Sequence, residues 1–163
     1  MKAIVAVDNN YVIGYNGKLL QYIPNDLKRF KEITTGKIVI YGRKTLDTFP
    51  NKQPLKNRIN IILSKNNKLV IDDAKIINSL ADLIKYTYQY NTDNLYVIGG
   101  QSIYELLIDY IDTIEITQIY ADYKADSYFP DIRLNNKWKL ENQSQLYSYE
   151  DIMYNFQTWK RNK

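Results

Sequence analysis

Short runs of apolar, mostly β-branched residues recur along the chain and alternate with segments whose apolar residues repeat at helical spacing. The runs are AIVAV (3–7), KIVIY (37–41), INIIL (59–63), AKIIN (74–78), LYVIGG (95–100) and TIEITQIYADY (113–123). Strands that are apolar at nearly every position are typical of sheets covered on both faces. The helical patterns lie at 24–35, about 43–49, 79–90 and 102–111. The alternation predicts an α/β fold with a mostly parallel central sheet flanked by about four helices.

The C-terminal part of the chain has a different pattern. Residues 137–161, KWKLENQSQLYSYEDIMYNFQTWKR, predict two strands around a polar turn, an antiparallel hairpin added at the edge of the sheet. Ser79 followed by Asp82 is typical of a helix N-terminus. Because 163 residues without a linker or repeat suit one hydrophobic core, we expect a single domain over 1–163.

Asp26 is the unusual residue of the first predicted helix. The apolar arc of that helix consists of Leu27, Phe30 and Ile33. Asp26 falls inside this arc when the helix begins at Pro24 and turns by about 100° per residue. One interpretation is an exposed acid at the positive end of the helix dipole. The other is a carboxylate that faces a pocket, which is costly unless it is hydrogen-bonded or used. The helix alone leaves both open.

Composition excludes several kinds of chemistry. The chain has no cysteine and no histidine, so thiol nucleophiles, Ser-His triads, imidazole acid-base catalysis and Cys/His zinc sites are ruled out. The net charge of +4 comes from scattered Lys and Arg residues, which argues against a nucleic-acid partner. No apolar segment is long enough for a signal peptide or a membrane span. We therefore expect a cytoplasmic protein without a metal site.

Three glycine-bearing stretches follow predicted strands, where open α/β sheets bind ligands. The stretch at 7–24, VDNNYVIGYNGKLLQYIP, is either a lid or a long surface loop. IVIYGRKT (38–45) is not a Walker A loop, but a helix start with Arg and Lys is either an anion site or a solvated basic turn. LYVIGGQSIYELL (95–107) lacks the G-x-G-x-x-G spacing and predicts either a tight turn or a close approach to a pyrophosphate.

Taken together, the order and spacing of these stretches resemble the dihydrofolate reductase family of the bacterial and phage type over essentially the whole chain. The resemblance is carried by VIG (12–14), PNDLKRFK (24–31), GRKT (42–45), PLKNRINIILS (54–64), VIGGQSIY (97–104) and IEITQIYADYKADSYFP (114–130). It implies a monomer that uses NADPH to reduce 7,8-dihydrofolate to tetrahydrofolate, by hydride transfer to pterin C6 and protonation at N5. One-carbon and thymidylate metabolism and antifolate inhibitors follow from the same resemblance.

The resemblance also implies the residues on the substrate side. Asp26 would be the only ionisable side chain at the pterin, Thr117 the hydroxyl behind it, and Arg58 the partner of the glutamate α-carboxylate. Gln21 stands where the family has a tryptophan, so it could keep a hydrogen bond but not an aromatic wall, and Leu46 likewise replaces a common aromatic. The residues implied for the walls and floor of the pocket are Val5, Ala6, Leu27, Phe30, Phe49, Leu55 and Ile98.

On the cofactor side the resemblance implies two phosphate-binding turns, a 2′-phosphate site at Ser64 and Lys65, and a mobile loop from Gly14 to Leu20. A cis peptide is expected between Gly99 and Gly100. The residues implied for NADPH are Ala6, Ile13, Gly14, Gly17, Leu19, Gly42, Arg43, Lys44, Thr45, Leu63, Ser64, Lys65, Gly99, Gly100, Gln101, Ser102, Ile103 and Tyr104.

Two other interpretations stay open at the level of sequence. A non-catalytic protein on the same fold is favoured only by Gln21, and the joint presence of Asp26, Arg58 and Thr117 argues against it. A related NADPH-dependent reductase could act on a pyrimidine or on another pterin. Arg58 distinguishes this case, because a substrate without a glutamate tail gives its guanidinium nothing to bind.

Overall fold

A central sheet of nine strands runs through the computed structural model, which describes all 163 residues. Its main strand order is β10-β12-β8-β1-β7-β4-β5-β6, and β11 pairs with β12. A second sheet has the order β3-β2-β9. The strands are β1 (Lys2–Val7), β2 (Val12–Tyr15), β3 (Lys18–Leu19), β4 (Ile38–Gly42), β5 (Ile59–Leu63), β6 (Ala74–Ile77), β7 (Leu95–Gly99), β8 (Thr113–Ile119), β9 (Ser127–Tyr128), β10 (Trp138–Gln143), β11 (Tyr147–Tyr149) and β12 (Ile152–Arg161).

Four α-helices accompany the sheet, as predicted. They are α1 (Pro24–Thr34), α2 (Arg43–Leu46), α3 (Leu80–Thr87) and α4 (Gln101–Leu107). Ser79 caps α3 by accepting a hydrogen bond from the backbone N–H of Asp82, which confirms the predicted start of that helix. The second helix is shorter than predicted: after Leu46 the chain forms tighter turn bonds, from Thr48 N–H to Thr45 O and from Phe49 N–H to Leu46 O, and Phe49 before Pro50 is extended. No helix is long and apolar enough to cross a membrane.

The strands β1, β4, β5, β6, β7 and β8 form the predicted parallel sheet. β1 lies in its centre, with Lys2 opposite Tyr96 of β7 on one side and opposite Thr113 of β8 on the other. Residues 38–41 of β4 are all buried, as the continuous apolar run required for a strand covered on both faces. This arrangement brings the carboxyl ends of β1, β4, β5 and β7 to one edge of the sheet.

The C-terminal region contains three antiparallel strands where the pattern predicted two. β10 forms the edge of the sheet, whereas the ten-residue β12 lies between β10 and β8. The additional strand, β11, returns along β12 through a turn in which Glu150 and Asp151 both have positive φ.

The strand after Thr113 ends at Ile119, four residues earlier than the apolar run suggested. The chain turns away there to meet the loop that follows β1. Asn9 N–H donates to Ala121 O at 3.1 Å, and Tyr123 N–H donates to the carboxylate of Asp8 at 2.9 Å. Backbone groups that would otherwise extend β8 are therefore used to hold this loop.

Candidate active site

The carboxyl ends of β4, β5 and β7 place three turns side by side. Gly42 is opposite Leu63 in the pairing of β4 with β5, and Tyr41 is opposite Gly99 in the pairing of β4 with β7. The turns that follow carry the predicted cofactor residues of GRKT, of Ser64 and of the Gly99-Gly100 pair. The structure therefore brings together groups that are separated by up to about sixty residues in the chain.

The turns after β4 and β7 contact each other directly. A Cβ added to Gly99 would lie 3.5 Å from Thr45 Oγ1, and one added to Gly42 would lie 3.1 Å from Ile103 Cγ1. Gly99 has φ +131°, a conformation closed to other residues, and the peptide between Gly99 and Gly100 is cis, as the resemblance implied. Glycine thus lets the two backbones approach closely, and such turns suit the phosphates of a dinucleotide.

The residues of α4 divide between the cleft and the core. Tyr104 is buried, and its hydroxyl donates to Ile4 O at 2.7 Å, so it supports the glycine turn from beneath. Ile103 is also buried against Gly42. Gln101 and Ser102 lie nearer the surface, and Gln101 Oε1 accepts from Tyr128 N–H at 2.9 Å. This bond joins the start of α4 to β9.

The predicted cations of the cofactor side are exposed. Arg43 forms an ion pair with Asp47 one turn later on the same short helix, with Nη1 3.0 Å from Oδ1. Lys44 and Lys65 are exposed and have no ion-pair partner. Ser64 is half-buried, and its hydroxyl accepts from Asn66 N–H at 3.2 Å. Few hydrogen bonds or ion pairs therefore hold the side chains of the predicted cofactor cations and of Ser64.

The segment predicted as a mobile loop forms the small sheet of β2, β3 and β9. Gly14 pairs with Leu19 across the hairpin, and Gly17 has φ +71° in the turn. Ile13 is half-buried against the main core, whereas Leu19 is 61% exposed. Asn16 N–H donates to Asp126 at 2.9 Å, so residues far along the chain hold this segment.

Asp26 is a half-buried carboxylate that accepts a 2.5 Å hydrogen bond from the hydroxyl of Thr117. Pro24 is the first residue of α1, and no side chain caps the helix, so Asp26 does not serve as a cap. Burial raises the pKa of Asp26, while the Thr117 hydrogen bond and the charge of Arg29 oppose that rise. A half-buried carboxylate bonded to a distant strand argues against the interpretation of Asp26 as a fully exposed acid.

The residues predicted to form a pocket with Asp26 come from five parts of the chain. Ala6 is opposite Thr117, the residue that donates a hydrogen bond to Asp26, in the pairing of β1 with β8. Phe49 packs edge-on against Tyr41, with 5.0 Å between ring centroids. The remaining predicted wall residues are the buried Val5, the half-buried Phe30, Leu55 and Ile98, and Leu27, which is 38% exposed.

Arg58 lies in the turn before β5, next to Phe30. Its Nε donates to Thr34 Oγ1 at 3.2 Å and its Nη1 to Lys56 O at 3.0 Å, while Nη2 bonds to no residue of the chain. No carboxylate pairs with it, and partial burial lowers the pKa of Arg58. A positioned cation without an acidic partner suits a ligand carboxylate.

Gln21 is half-buried, and its side chain forms no hydrogen bond within the protein. The neighbouring Leu20 packs against the cluster of Ile23, Ile119 and Tyr154. The departure from the family pattern at these two positions therefore places one apolar side chain in the core. It leaves one amide free to bond outside the chain.

Three further residues at the site escaped the sequence interpretation. Asn60 holds the turn before β5, since its Oδ1 accepts from Leu55 N–H and its Nδ2 donates to Leu55 O. Asp8 is fully buried and accepts three backbone hydrogen bonds. Arg29 pairs with Glu115 beneath α1. The available signal for Arg29 was a charge three residues after Asp26, on the same side of the helix.

Comparisons with known proteins agree with this geometry. The chain matches the family model described as dihydrofolate reductase over residues 1–161. It is 34% identical over 158 residues to the dihydrofolate reductase of Bacillus subtilis (strain 168), covering 93% of this chain and 91% of that protein. The enzyme of Buchnera aphidicola is 38% identical over 138 residues, covering 83% and 82%. The structure of dihydrofolate reductase from Enterococcus faecalis complexed with NADP(H) and RAB-propyl superposes with a TM-score of 0.87 at 30% identity, covering 99% of this chain and 96% of that one.

Proposed function

Since the chain belongs to the dihydrofolate reductase family, we propose that it uses NADPH to reduce 7,8-dihydrofolate to 5,6,7,8-tetrahydrofolate. The protein is then an oxidoreductase of one-carbon metabolism. NADPH supplies the hydride when it is bound, and the protein orients the reactants and handles the proton. The observation that carries the proposal is the half-buried Asp26 bonded to Thr117.

Asp26 is the group proposed to assist protonation of the substrate. Thr117 donates to Oδ1, which fixes the orientation of the carboxyl group and leaves Oδ2 for the amino group and N3 of a pterin. Because burial raises its pKa, this carboxyl keeps a proton at higher pH than an exposed aspartate does. In a chain without histidine, it is the side chain suited to acid-base work in this pocket.

Arg58 is proposed to bind the glutamate α-carboxylate of the substrate. Two of its nitrogens are held by Thr34 and Lys56, so the guanidinium is oriented before the ligand arrives. Phe30 lies beneath it, 6.0 Å from ring centroid to guanidinium carbon. The walls that lead from Asp26 to Arg58 are apolar and suit the pterin and benzoyl rings.

The cofactor residues are proposed as a group. Backbone N–H groups of the turns at Gly42 and Gly99-Gly100 would hold the phosphates, because glycine permits the close approach and the helices that begin there have free N–H groups. Arg43, Ser64 and Lys65 would face the adenosine 2′-phosphate. Residues from Gly14 to Leu20 would cover the nicotinamide, supported by the bond from Asn16 N–H to Asp126.

The reaction is tested by following the absorbance of NADPH with and without dihydrofolate. We expect loss of NADPH that depends on dihydrofolate and is blocked by an antifolate inhibitor. No dihydrofolate-dependent loss, together with retained binding of NADPH, would favour the non-catalytic alternative. Faster reduction of a pterin without a glutamate tail would favour the related reductase. A monomer, a cytoplasmic location and the absence of a nucleic-acid partner remain predictions, the first of which light scattering tests.

A further inference from the structure

A second half-buried polar contact joins α1 to the sheet beside Asp26. Arg29 Nη2 lies 2.8 Å from Glu115 Oε2, and the two side chains retain only 20% and 17% of their exposure. The hydroxyl of Thr158 donates to the same carboxylate oxygen at 2.8 Å. The guanidinium carbon of Arg29 lies 4.6 Å from the centroid of the Phe156 ring. The cation is thus held on several sides.

This contact runs alongside the bond between Asp26 and Thr117. Arg29 follows Asp26 by three residues and lies on the same side of α1. Glu115 precedes Thr117 by two residues and lies on the same face of β8. Strand β12 continues the pattern, since Phe156 is opposite Thr117 and Thr158 is opposite Glu115. The acid of the active site and the buried cation are therefore neighbours in one layer.

Glu115 accepts a hydrogen bond from only one end of the Arg29 guanidinium. Its Nη1 is buried and has no hydrogen-bond acceptor in the protein. A buried donor of this kind is rare, and a charge in the interior is screened less than a charge at the surface. Arg29 is the charged side chain that acts on the pKa of Asp26, which it lowers.

We propose that Arg29 is a positioning residue for the reaction: held by Glu115, its cation controls how readily Asp26 takes up and releases its proton. Burial favours the protonated form of Asp26, and the Thr117 hydrogen bond and the Arg29 cation both oppose that preference. The cation favours the ionised form that must be regenerated in each cycle. The inference rests on the proposed function, because it concerns the acid of that site.

The other groups near Asp26 and Arg29 come from β8, β12, β7 and β1. On β8 they are Thr117 and Glu115, and on β12 the residues next to them, Phe156 and Thr158, are uncharged. Beyond Glu115, Tyr96 of β7 lies in the fields of Lys2, Glu115, Asp93 and Arg29, and burial raises its pKa, which keeps its hydroxyl neutral. Lys2 lies 3.6 Å from Asp93, so its charge is partly balanced.

The test measures the titration of the Asp26 carboxyl directly, by ¹³C NMR of protein labelled at aspartate carboxyl carbons. The Asp26 signal is identified by its absence in Asp26→Asn. The variants are Arg29→Met, Glu115→Gln and the two combined, in which no buried charge is left without its partner. Lys28→Met is the matched control, because Lys28 is exposed on the same helix and makes only a 4.0 Å contact with Glu32. The pH dependence of hydride transfer is recorded for each protein.

The two single variants break the same ion pair but should move Asp26 in opposite directions. Arg29→Met removes the cation and should raise the midpoint of the Asp26 titration by about half a pH unit or more. Glu115→Gln leaves the cation without its partner and should lower the midpoint. The combined variant should raise it, with stability close to that of the native protein, and Lys28→Met should leave it unchanged.

A purely structural role predicts a different outcome. Both single variants would then lose stability, and the Asp26 midpoint would stay fixed or move in the same direction in both. Either result overturns the inference. Because the NMR titration needs no turnover, it decides the role of Arg29 even if dihydrofolate is not the substrate. The assay of NADPH loss in the native protein decides the proposed function separately.

Discussion

The pocket around Asp26 and the rim formed by the three turns hold their functional groups in different ways. In the pocket, side chains are fixed by buried contacts between α1 and the sheet: Asp26 to Thr117, and Arg29 to Glu115. At the rim, the fixed element is the backbone of the glycine turns, and the charged side chains are exposed or paired locally, as Arg43 is with Asp47.

The difference shows where specificity can be concentrated in one residue. A buried, hydrogen-bonded group loses its whole interaction when it is replaced, and it leaves an unsatisfied partner behind. The interaction of an exposed cation is screened by solvent and salt, and neighbouring cations can replace part of it. Single substitutions should therefore have large effects in the pocket and small effects at the rim.

The largest effect is expected from Asp26→Asn. Loss of the only ionisable group of the pocket should slow hydride transfer at neutral pH by about 10²–10⁴-fold, the scale for removing a general acid. Lower pH should restore part of the rate, because substrate that is already protonated no longer needs the acid. Pre-steady-state measurement of NADPH loss gives the rate. Glu32→Gln, an exposed acid on the same helix, is the control, and equal rates in the two variants would remove Asp26 from its assigned role.

Arg58→Leu should weaken the binding of dihydrofolate by at least about tenfold, since a charged hydrogen-bond partner contributes about 1.5–3 kcal/mol. A pterin without the glutamate tail should bind almost as before. Lys56→Leu provides the matched control, because Lys56 is an exposed cation two residues away whose contact with Arg58 is through its backbone oxygen. Equal losses for both ligands would mean that Arg58 acts only on the structure of its turn.

Arg43→Ala should lower the preference for NADPH over NADH, measured as a ratio of kcat/KM, by about three- to tenfold. The effect is modest because Arg43 is 44% exposed and its charge is shared with Asp47. Lys65→Ala should change the ratio by about twofold, since a flexible exposed ammonium loses more to screening. Lys139→Ala, on β10, should change nothing. If Arg43→Ala or Lys65→Ala lowered this ratio by more than about 100-fold, the expected difference between rim and pocket would be wrong.

The smallest expected effect is that of Asp26→Asn on stability. This variant loses activity, but we expect it to gain stability at neutral pH. Between the ordinary aspartate value of 3.8 and the raised pKa of Asp26, the folded protein binds more protons than the unfolded chain. Its free energy of unfolding therefore falls as the pH rises through that window. Asn cannot ionise and still accepts the Thr117 bond, so Asp26→Asn should be the more stable protein at pH 7 and lose that advantage near pH 4. Urea midpoints across the pH range measure this, and a variant less stable at every pH would contradict the assigned burial cost.

The sequence predicted the parallel strands and the helices well, because each is specified by its own residues. Residues 38–41 are apolar throughout, and Ser79 caps its helix through local contacts. Asp26 was also visible, since a carboxylate in an apolar arc conflicts with its surroundings. The sequence could not choose between two interpretations of that conflict, because the choice depends on Thr117, on a distant strand.

Several of the missed features depend on pairs far apart in the chain. The segment after β1 forms a hairpin of its own, but its third strand is Ser127–Tyr128, and no local pattern indicates that neighbour. Arg29 and Glu115 are both ordinary surface residue types until the helix is placed on the sheet. Strand β11 was overlooked because YSY is short and depends on β12 for its hydrogen bonds.

The central position of β1 has a consequence for how the chain folds during its synthesis. Lys2 pairs with Tyr96 on one side and with Thr113 on the other, so β1 gains its first neighbour only after more than 90 further residues have been synthesised and its second after about 110. Until then AIVAV is an apolar segment without hydrogen-bonding partners. Folding from such distant contacts is slow, and the nascent chain has to be protected from association throughout that interval.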